Sequence, residues 1–329
     1  MRNYVTEKQG AALNVNYDYK QSWLRDFSFN KTRNESLMVK YFKEHDAAQQ
    51  EVGLNMLIFL SQFWFATRDQ IKKALEIKGL DASLADEVID DYVANRVMNC
   101  FTFAAHELDV MPSDAMRIYC MDHGARHILS HYYREDFVYW QSTDNLRGTE
   151  QIVKCLSTSS FYLSLARVKM ENLRTFEPIF DVSIGRRNAR FSAMFEILNK
   201  RGGDEPSVWQ KDPTRKFILE SVRSYDLPAY WQKKCREQIH PYLMQKFWQQ
   251  NFPEEPMFIL LAETDEAALE AADIFHRITE SDNFRITTDK NILRGMEKAP
   301  FYKYIPCEDS ARVGTLQPGR AVIFSKKDA

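Results

Sequence analysis

The order of hydrophobic periodicities between residues 51 and 121 constrains this chain more than any other sequence feature. Three segments with apolar residues at helical spacing are followed by two strand-like runs joined by a polar connection. The helices and strands predicted on this basis are, in order, 51–65, 67–75, 83–97, 98–104 and 116–121. Three helices followed by a strand hairpin is the order of a winged helix, and we predict that fold here.

Beyond residue 146 the pattern changes to alternating strands and helices. A helix is predicted over 146–173. The strands predicted after it are 177–183, 190–198, 216–222, 257–262 and 284–287, with late strands near 302–305 and 321–325, and the helices are 228–249 and 265–278. Such alternation is typical of a mixed α/β layer structure.

We therefore predict an α+β, mixed chain with three parts. Residues 1–45 mix aromatic and basic side chains without a sustained period and are interpreted as an N-terminal arm. The winged-helix domain is predicted over 46–145 and the α/β domain over 146–329. A length of 329 residues is ample for two domains that each bury a core.

A net charge of −2 hides a segregation that affects any nucleic-acid hypothesis. Residues 50–130 hold 7 Lys and Arg against 12 Asp and Glu, whereas residues 146–216 hold 13 against 8. The acidic residues on or beside the third predicted helix are Asp81, Asp86, Glu87, Asp90 and Asp91. Phosphates would repel these carboxylates, so the helix that normally enters the major groove is poorly suited to DNA.

The sequence favours a cytoplasmic protein that does not enter a membrane. The first twenty residues lack the apolar core of a signal peptide, and the longest apolar stretch, 54–66, is interrupted by polar residues. Five scattered cysteines, an odd number without a C-x-x-C pair, argue against a disulfide framework and against a cysteine-built zinc site.

Several enzyme classes lack their sequence signatures in this chain. Neither a phosphate-binding G-x-x-x-x-G-K-[ST] or G-x-G-x-x-G loop nor a G-x-S-x-G nucleophile elbow occurs.

His123, His127 and His131 would share one helix face, but the outer two would lie about 12 Å apart, too far to bind one ion together. We expect no metal site and no cofactor.

Two groups of cations are the candidates for DNA binding. In the winged-helix region they are Arg68, Lys72, Lys73, Lys78 and Arg96. In the α/β region they are Arg186, Arg187 and Arg190, in a predicted turn where guanidinium groups could reach a phosphate backbone. A solvated loop accounts for the second group equally well, and the winged helix could instead serve protein contact or dimerisation.

Four segments together resemble a known family. They are the strand end Ile118–Ala125, the strand Phe217–Glu220, the following helix with Lys233, Lys234 and Tyr242, and the strand Met257–Leu261. In these segments the chain resembles the replication-relaxation family of plasmid and integrative-element proteins. The resemblance implies a winged helix fused to a restriction-endonuclease-like α/β domain, with double-stranded DNA and a relaxase or replication protein as partners.

The chain departs from the pattern that a working nuclease of the related fold requires. Such a site needs an Asp on one strand and Glu-x-Lys on the next, to hold Mg²⁺ and to position water. Here Ser192-Ala193 occupies the first place and Glu220-Ser221-Val222 the second. Glu196 or Asp181 would have to replace the missing acid and Arg223 the lysine, so we predict a non-cleaving domain with Glu220 as its one catalytic candidate.

Three functional hypotheses follow from this sequence. The first is a DNA-associated accessory protein of a mobile element, acting in replication or conjugative mobilisation by binding DNA, a relaxase or both. The second is a metal-dependent nuclease that uses Glu220. The third is an interaction or regulatory module whose acidic winged helix pairs with itself, as a homodimer, or with another protein.

Overall fold

The computed structural model describes residues 2–13, 15–24, 34–133, 140–198, 214–297, 301–307 and 312–319. The chain divides into two compact units, 1–159 and 160–329. The boundary in the structure lies later than the division predicted at 145/146. Residues between them, Ile152, Val153 and Leu156, pack in the core of the first unit. None of the described helices is long and apolar enough to cross a membrane.

The first unit combines helices with a four-stranded sheet. Its elements are α1 (Glu7–Ala11), β1 (Lys20–Trp23), α2 (Glu35–Lys43), α3 (Ala47–Phe63), β2 (Phe65–Thr67), α4 (Arg68–Ile77), α5 (Ala85–Ala94), β3 (Met98–Ala104), β4 (Ile118–Met121), α6 (His123–Tyr132) and the first part of α7 (Thr149–Lys169). The strand order is β1-β3-β4-β2, with antiparallel pairing throughout.

Local sequence accounts for the helix boundaries in this unit. Asp46 and Thr67 cap α3 and α4, and in each case the glutamine three residues later completes a capping box. Gly79, with a φ of +73°, follows the end of α4 in the left-handed region that glycine adopts without strain.

The predicted arm is part of the first unit in the structure. Residues Lys20–Trp23 pair with β3, and Val5, Leu13 and Val15 are buried in the core that β3 and β4 also line. The sequence pattern missed this because a short strand contributing a few apolar residues does not produce a sustained period.

The second unit is built on a seven-stranded sheet. Its elements are the rest of α7, β5 (Leu173–Ile184), β6 (Arg187–Leu198), β7 (Thr214–Val222), α8 (Ala229–Lys234), α9 (His240–Met244), β8 (Met257–Ala262), α10 (Asp265–Thr279), β9 (Phe284–Thr288), α11 (Asp289–Leu293), β10 (Phe301–Ile305) and β11 (Thr315–Gly319). The strand order is β11-β10-β9-β8-β7-β6-β5. The strand predicted at 321–325 lies outside the described residues.

The three central strands β7, β8 and β9 are parallel, and the flanking strands are antiparallel. One face of the sheet packs against α8, α9 and α10, where Trp231, Tyr242 and Phe275 are buried. The other face packs against Phe161 of α7 and Ile292 of α11. Helices on both faces explain why β8 reads as a continuous hydrophobic run in the sequence.

Gly53 of α3 makes room for a buried aromatic side chain of α5. A Cβ at this position would lie 2.0 Å from the hydroxyl oxygen of Tyr92, whose side chain is fully buried. We expect Gly53→Ala to lower the free energy of unfolding by about 1–3 kcal/mol, since overpacking outweighs the gain in helix propensity.

Thermal or denaturant unfolding measures this effect, and Glu51→Ala on the exposed face of the same helix is the control. The control should change stability by no more than about 0.5 kcal/mol. A Gly53→Ala protein as stable as the control would contradict the packing described here.

Candidate functional site

Glu220, the predicted catalytic candidate, forms a buried ion pair with Lys234. The Nζ of Lys234, at the end of α8, lies 2.6 Å from Oε1 of Glu220, and the two side chains are 9% and 2% exposed. Lys234 also donates to the backbone carbonyl of Arg190 at 2.8 Å. The helix continues from Lys234 as one π turn, Cys235–Ile239, before α9 begins.

The second carboxylate oxygen of Glu220 is used where β6 and β7 separate. Their regular pairing ends at Ala193 and Leu219. Beyond that point, the backbone N–H of Ser192 donates to Oε2 of Glu220 at 3.3 Å. The N–H of Ser221 donates to Oγ of Ser192 at 2.9 Å. Side chains thus replace the missing ladder hydrogen bonds, and both oxygens of Glu220 are engaged inside the protein.

The structure does not bring the substitute acids to Glu220. Asp181 accepts two hydrogen bonds from Arg190 on the exposed side of the β5–β6 hairpin. Glu196 lies opposite Lys216 in the β6–β7 ladder, with 3.5 Å between Oε1 and Nζ. Among the described residues, we find no group of three or more His, Cys, Asp and Glu that could hold a metal ion.

Arg223, considered above as a replacement for lysine, belongs to a second buried ion pair. It follows β7 directly, is fully buried and contacts the carboxylate of Asp289 at the start of α11. Its guanidinium also donates to the carbonyl of Leu261 at 2.8 Å. The pair thus connects the carboxyl ends of the three parallel strands, because Arg223 follows β7, Leu261 lies near the end of β8 and Asp289 follows β9.

Beside this pair lies a carboxyl group that the sequence analysis missed. Glu263 follows β8 and accepts hydrogen bonds from the backbone N–H and the hydroxyl of Ser224, which follows β7. Partial burial, helped by the nearby charge of Asp289, raises the pKa of the Glu263 carboxyl to about 7. Its position after an apolar strand was a usable signal, because the carboxyl ends of parallel strands share one edge.

The DNA-binding candidates on α4 are paired with acids of α5. The guanidinium of Arg68 lies 3.1 Å from Asp86 and 2.6 Å from Asp90, and it donates to the hydroxyl of Tyr119. Lys72 lies 2.6 Å from Asp86. This hydrogen bond holds the pKa of the Asp86 carboxyl below its usual value. The carboxylates therefore lower the positive potential that α4 would offer to phosphates.

The remaining candidates of the first unit also have partners within the unit. Lys73 pairs with Asp69 at 2.7 Å, and Arg96 lies 3.6 Å from Asp122. Lys78 donates to the side-chain amide oxygen of Asn55 at 2.8 Å. Each of the five candidate cations thus has an acidic or polar partner within the unit.

The arginines of the second unit lie together at the end of the β5–β6 hairpin. Arg186 is exposed in the turn between the two strands. The side chain of Arg187 is 76% exposed, and its Nη1 lies 3.8 Å from Oε2 of Glu237. The side chain of Arg190 is 57% exposed, and its Nη2 lies 2.7 Å from Oδ2 of Asp181. Exposed ion pairs of this kind contribute only about 0–1 kcal/mol, so phosphates can replace the carboxylates as partners.

Comparisons with known proteins leave the family open. Neither a protein-family model nor a curated protein matches the chain significantly. Among solved structures, the chain is similar to the restriction endonuclease FokI, at 10% sequence identity and a TM-score of 0.29, over 79% of this chain. The chain spans 43% of the FokI chain, less than half its length. At this TM-score neither a fold nor a function can be transferred from FokI.

Lys234→Met should leave the Glu220 carboxylate buried without its partner. We expect a loss of about 3–5 kcal/mol in the free energy of unfolding, the usual cost of breaking a buried ion pair from one side. Glu220→Gln combined with Lys234→Met should recover most of this loss, because it removes the uncompensated charge and keeps an acceptor for Ser192. Denaturant unfolding measures both.

The exposed neighbour Lys233 provides the control for this experiment. Lys233→Met should change stability by no more than about 0.5 kcal/mol. If Lys234→Met and Lys233→Met had equal effects, the assignment of Glu220 and Lys234 to a stabilising pair would be wrong.

The raised pKa of Glu263 predicts a stability that falls as pH rises. A carboxyl with a folded-state pKa of about 7 holds its proton where the unfolded chain, with a usual value of 4.5, has lost it. Its contribution is fully present below pH 4.5 and is lost as pH rises through 7. The thermal midpoint of Glu263→Gln should therefore fall less than that of the unaltered protein between pH 5 and pH 8. Parallel pH profiles of the two proteins would argue against this assignment.

Proposed function

We propose that this protein is a non-cleaving, DNA-associated accessory protein that binds duplex DNA through the β5–β6 hairpin. The observation that carries the proposal is the difference in exposure between the two groups of cations. Arg68 and Lys72 pair with carboxylates of α5 and are only 31% and 33% exposed, whereas Arg187 and Arg190, which also pair with acids, are 76% and 57% exposed. Arg186 is exposed in the turn of the same hairpin. Guanidinium groups so placed can bind successive phosphates.

In this proposal the first unit is a winged helix and the second a degenerate nuclease-like domain. The order α3, β2, α4, α5, β3 and β4, with β4 between β2 and β3, supports the winged helix. Three antiparallel strands followed by a helix and a parallel strand support the relation to restriction endonucleases. Through the replication-relaxation resemblance, the role is in plasmid-type replication or mobilisation, beside a relaxase or replication protein.

Cleavage is not part of the proposal, because Glu220 is poorly placed for it. A metal-dependent nuclease presents its carboxylates to an ion that also contacts the phosphate. Both oxygens of Glu220 instead accept hydrogen bonds from Lys234 and Ser192, and the side chain is buried. The alternative of a Glu220-dependent nuclease would require this network to open first.

Removal of Arg186 and Arg187 should weaken the binding of duplex DNA. We expect Arg186→Ala with Arg187→Ala to lower the affinity at least about tenfold near 0.1 M salt. The slope of log affinity against log salt should decrease by about 2, because two phosphates would no longer be neutralised by the protein. Fluorescence anisotropy with a labelled duplex measures both quantities.

The matched control removes the same charge from the first unit. Lys73→Ala with Lys78→Ala should leave the affinity and the salt slope nearly unchanged. Equal losses in the two double variants would mean that net charge, and not the hairpin, determines binding. A larger loss in the control would return the DNA contact to α4.

The ion pairs between α4 and α5 favour a second candidate, a protein-interaction module. With Arg68 and Lys72 neutralised, the exposed acids of α5 leave this surface negative, which suits a basic protein partner or a second copy that offers cations. The same titration separates the candidates, because a protein with only this role would bind no duplex, and neither double variant would differ from the unaltered protein.

A further inference from the structure

Two large aromatic side chains are exposed on the segment that follows β7. Tyr225 lies in a short 3-10 turn, Ser224–Asp226, and is 60% exposed. Tyr230 lies in the first turn of α8 and is 54% exposed. Most aromatic side chains of this unit, such as Trp231 next to Tyr230, are buried in the core. Exposed aromatic rings provide flat surfaces on which nucleobases stack.

The exposed face of the helix continues from Tyr230 towards the arginines. Residues 230, 233, 236 and 237 are exposed, whereas Trp231, Lys234 and Cys235 are buried beneath them. A spacing of three residues places Tyr230 and Lys233 along one side of α8, and Glu237 is exposed in the π turn that follows.

The far end of this face meets the β5–β6 hairpin. Arg187 lies 3.8 Å from Glu237 in the π turn, and Lys234 donates to the carbonyl of Arg190 at 2.8 Å. These two contacts make the hairpin and the helix one continuous surface. Tyr230 lies in the first turn of the helix, the arginines lie beside its far end, and Tyr225 precedes the helix in the chain.

This surface, which we name the tyrosine–arginine path, is predominantly basic. Its exposed cations are Arg186, Arg187, Arg190, Lys233 and Arg236. Its acids are Asp181 and Glu237, which pair with its arginines, and Glu263, which accepts hydrogen bonds from Ser224 next to Tyr225. A basic track beside exposed aromatic rings is the arrangement that binds single-stranded nucleic acid without reading its sequence. A duplex keeps its bases stacked on each other, so it can use the arginines but not the tyrosines.

We propose that the tyrosine–arginine path binds single-stranded DNA, with bases stacked on Tyr225 and Tyr230 and the backbone held by the hairpin arginines. This inference rests on the proposed function, since it uses the same arginines. It adds a ligand class, DNA that has been unwound or nicked.

Anisotropy titrations of the full chain test the path with a fluorescein-labelled oligothymidylate of about 20 nucleotides and with a duplex of the same length. The unaltered protein should bind the single strand more tightly than the duplex. Tyr225→Ala with Tyr230→Ala should weaken single-strand binding at least about tenfold, while duplex affinity and its salt slope stay unchanged. Tyr225→Phe with Tyr230→Phe, the matched control, should retain single-strand affinity, because phenylalanine also stacks.

The outcomes separate failure of the path from failure of the proposed function. The path alone would be overturned if Tyr225→Ala with Tyr230→Ala left the single-strand affinity unchanged. It would also be overturned if this variant lost affinity equally for the single strand and for the duplex. The absence of binding to either DNA would overturn the proposed function and the path with it. Unchanged thermal midpoints in the tyrosine variants, expected for exposed positions, show that the protein remains folded.

Discussion

The buried pair of Glu220 and Lys234 determines how three elements of the second unit meet. The carboxylate fills the gap where β6 and β7 separate, and the ammonium joins α8 to both strands. Neither charge can be buried alone without a large desolvation cost, so the helix and the strands must pack together in this arrangement. Arg190 lies next to this pair, because Lys234 donates to its backbone carbonyl, and the side chain of Arg190 is exposed.

In the first unit, the pairing of α4 cations with α5 carboxylates lowers the capacity of this surface to bind DNA. The acids of α5 were expected to repel DNA from the third helix, and in the structure Asp86 and Asp90 also occupy the cations of α4. Arg68 and Lys72 are only 31% and 33% exposed, so a phosphate reaches them less readily than it reaches Arg187 and Arg190, which are more than half exposed. The exposed cations of the second unit are therefore the better placed to bind phosphates.

Sequence patterns predicted most accurately the segments in which one hydrophobic period continues through neighbouring residues. The strands Met98–Ala104 and Met257–Ala262 have the predicted bounds. The arm was misjudged because its role depends on β3, about 80 residues later in the chain. Propensity describes a segment by itself, whereas strand pairing depends on a partner that the segment does not encode.

At the candidate site, residue identity alone gives the chemical groups that are present. The arginine-rich turn was recognised from residue types and spacing, whereas the serine at position 192 in place of an acid was recognised only through the family resemblance. Tertiary structure decided what those groups do, because only folding places Lys234 against Glu220, Asp86 against Arg68 and Glu237 beside Arg187. The physical reason is that electrostatic interaction depends on distance and burial, and both are set by contacts between residues far apart in the chain.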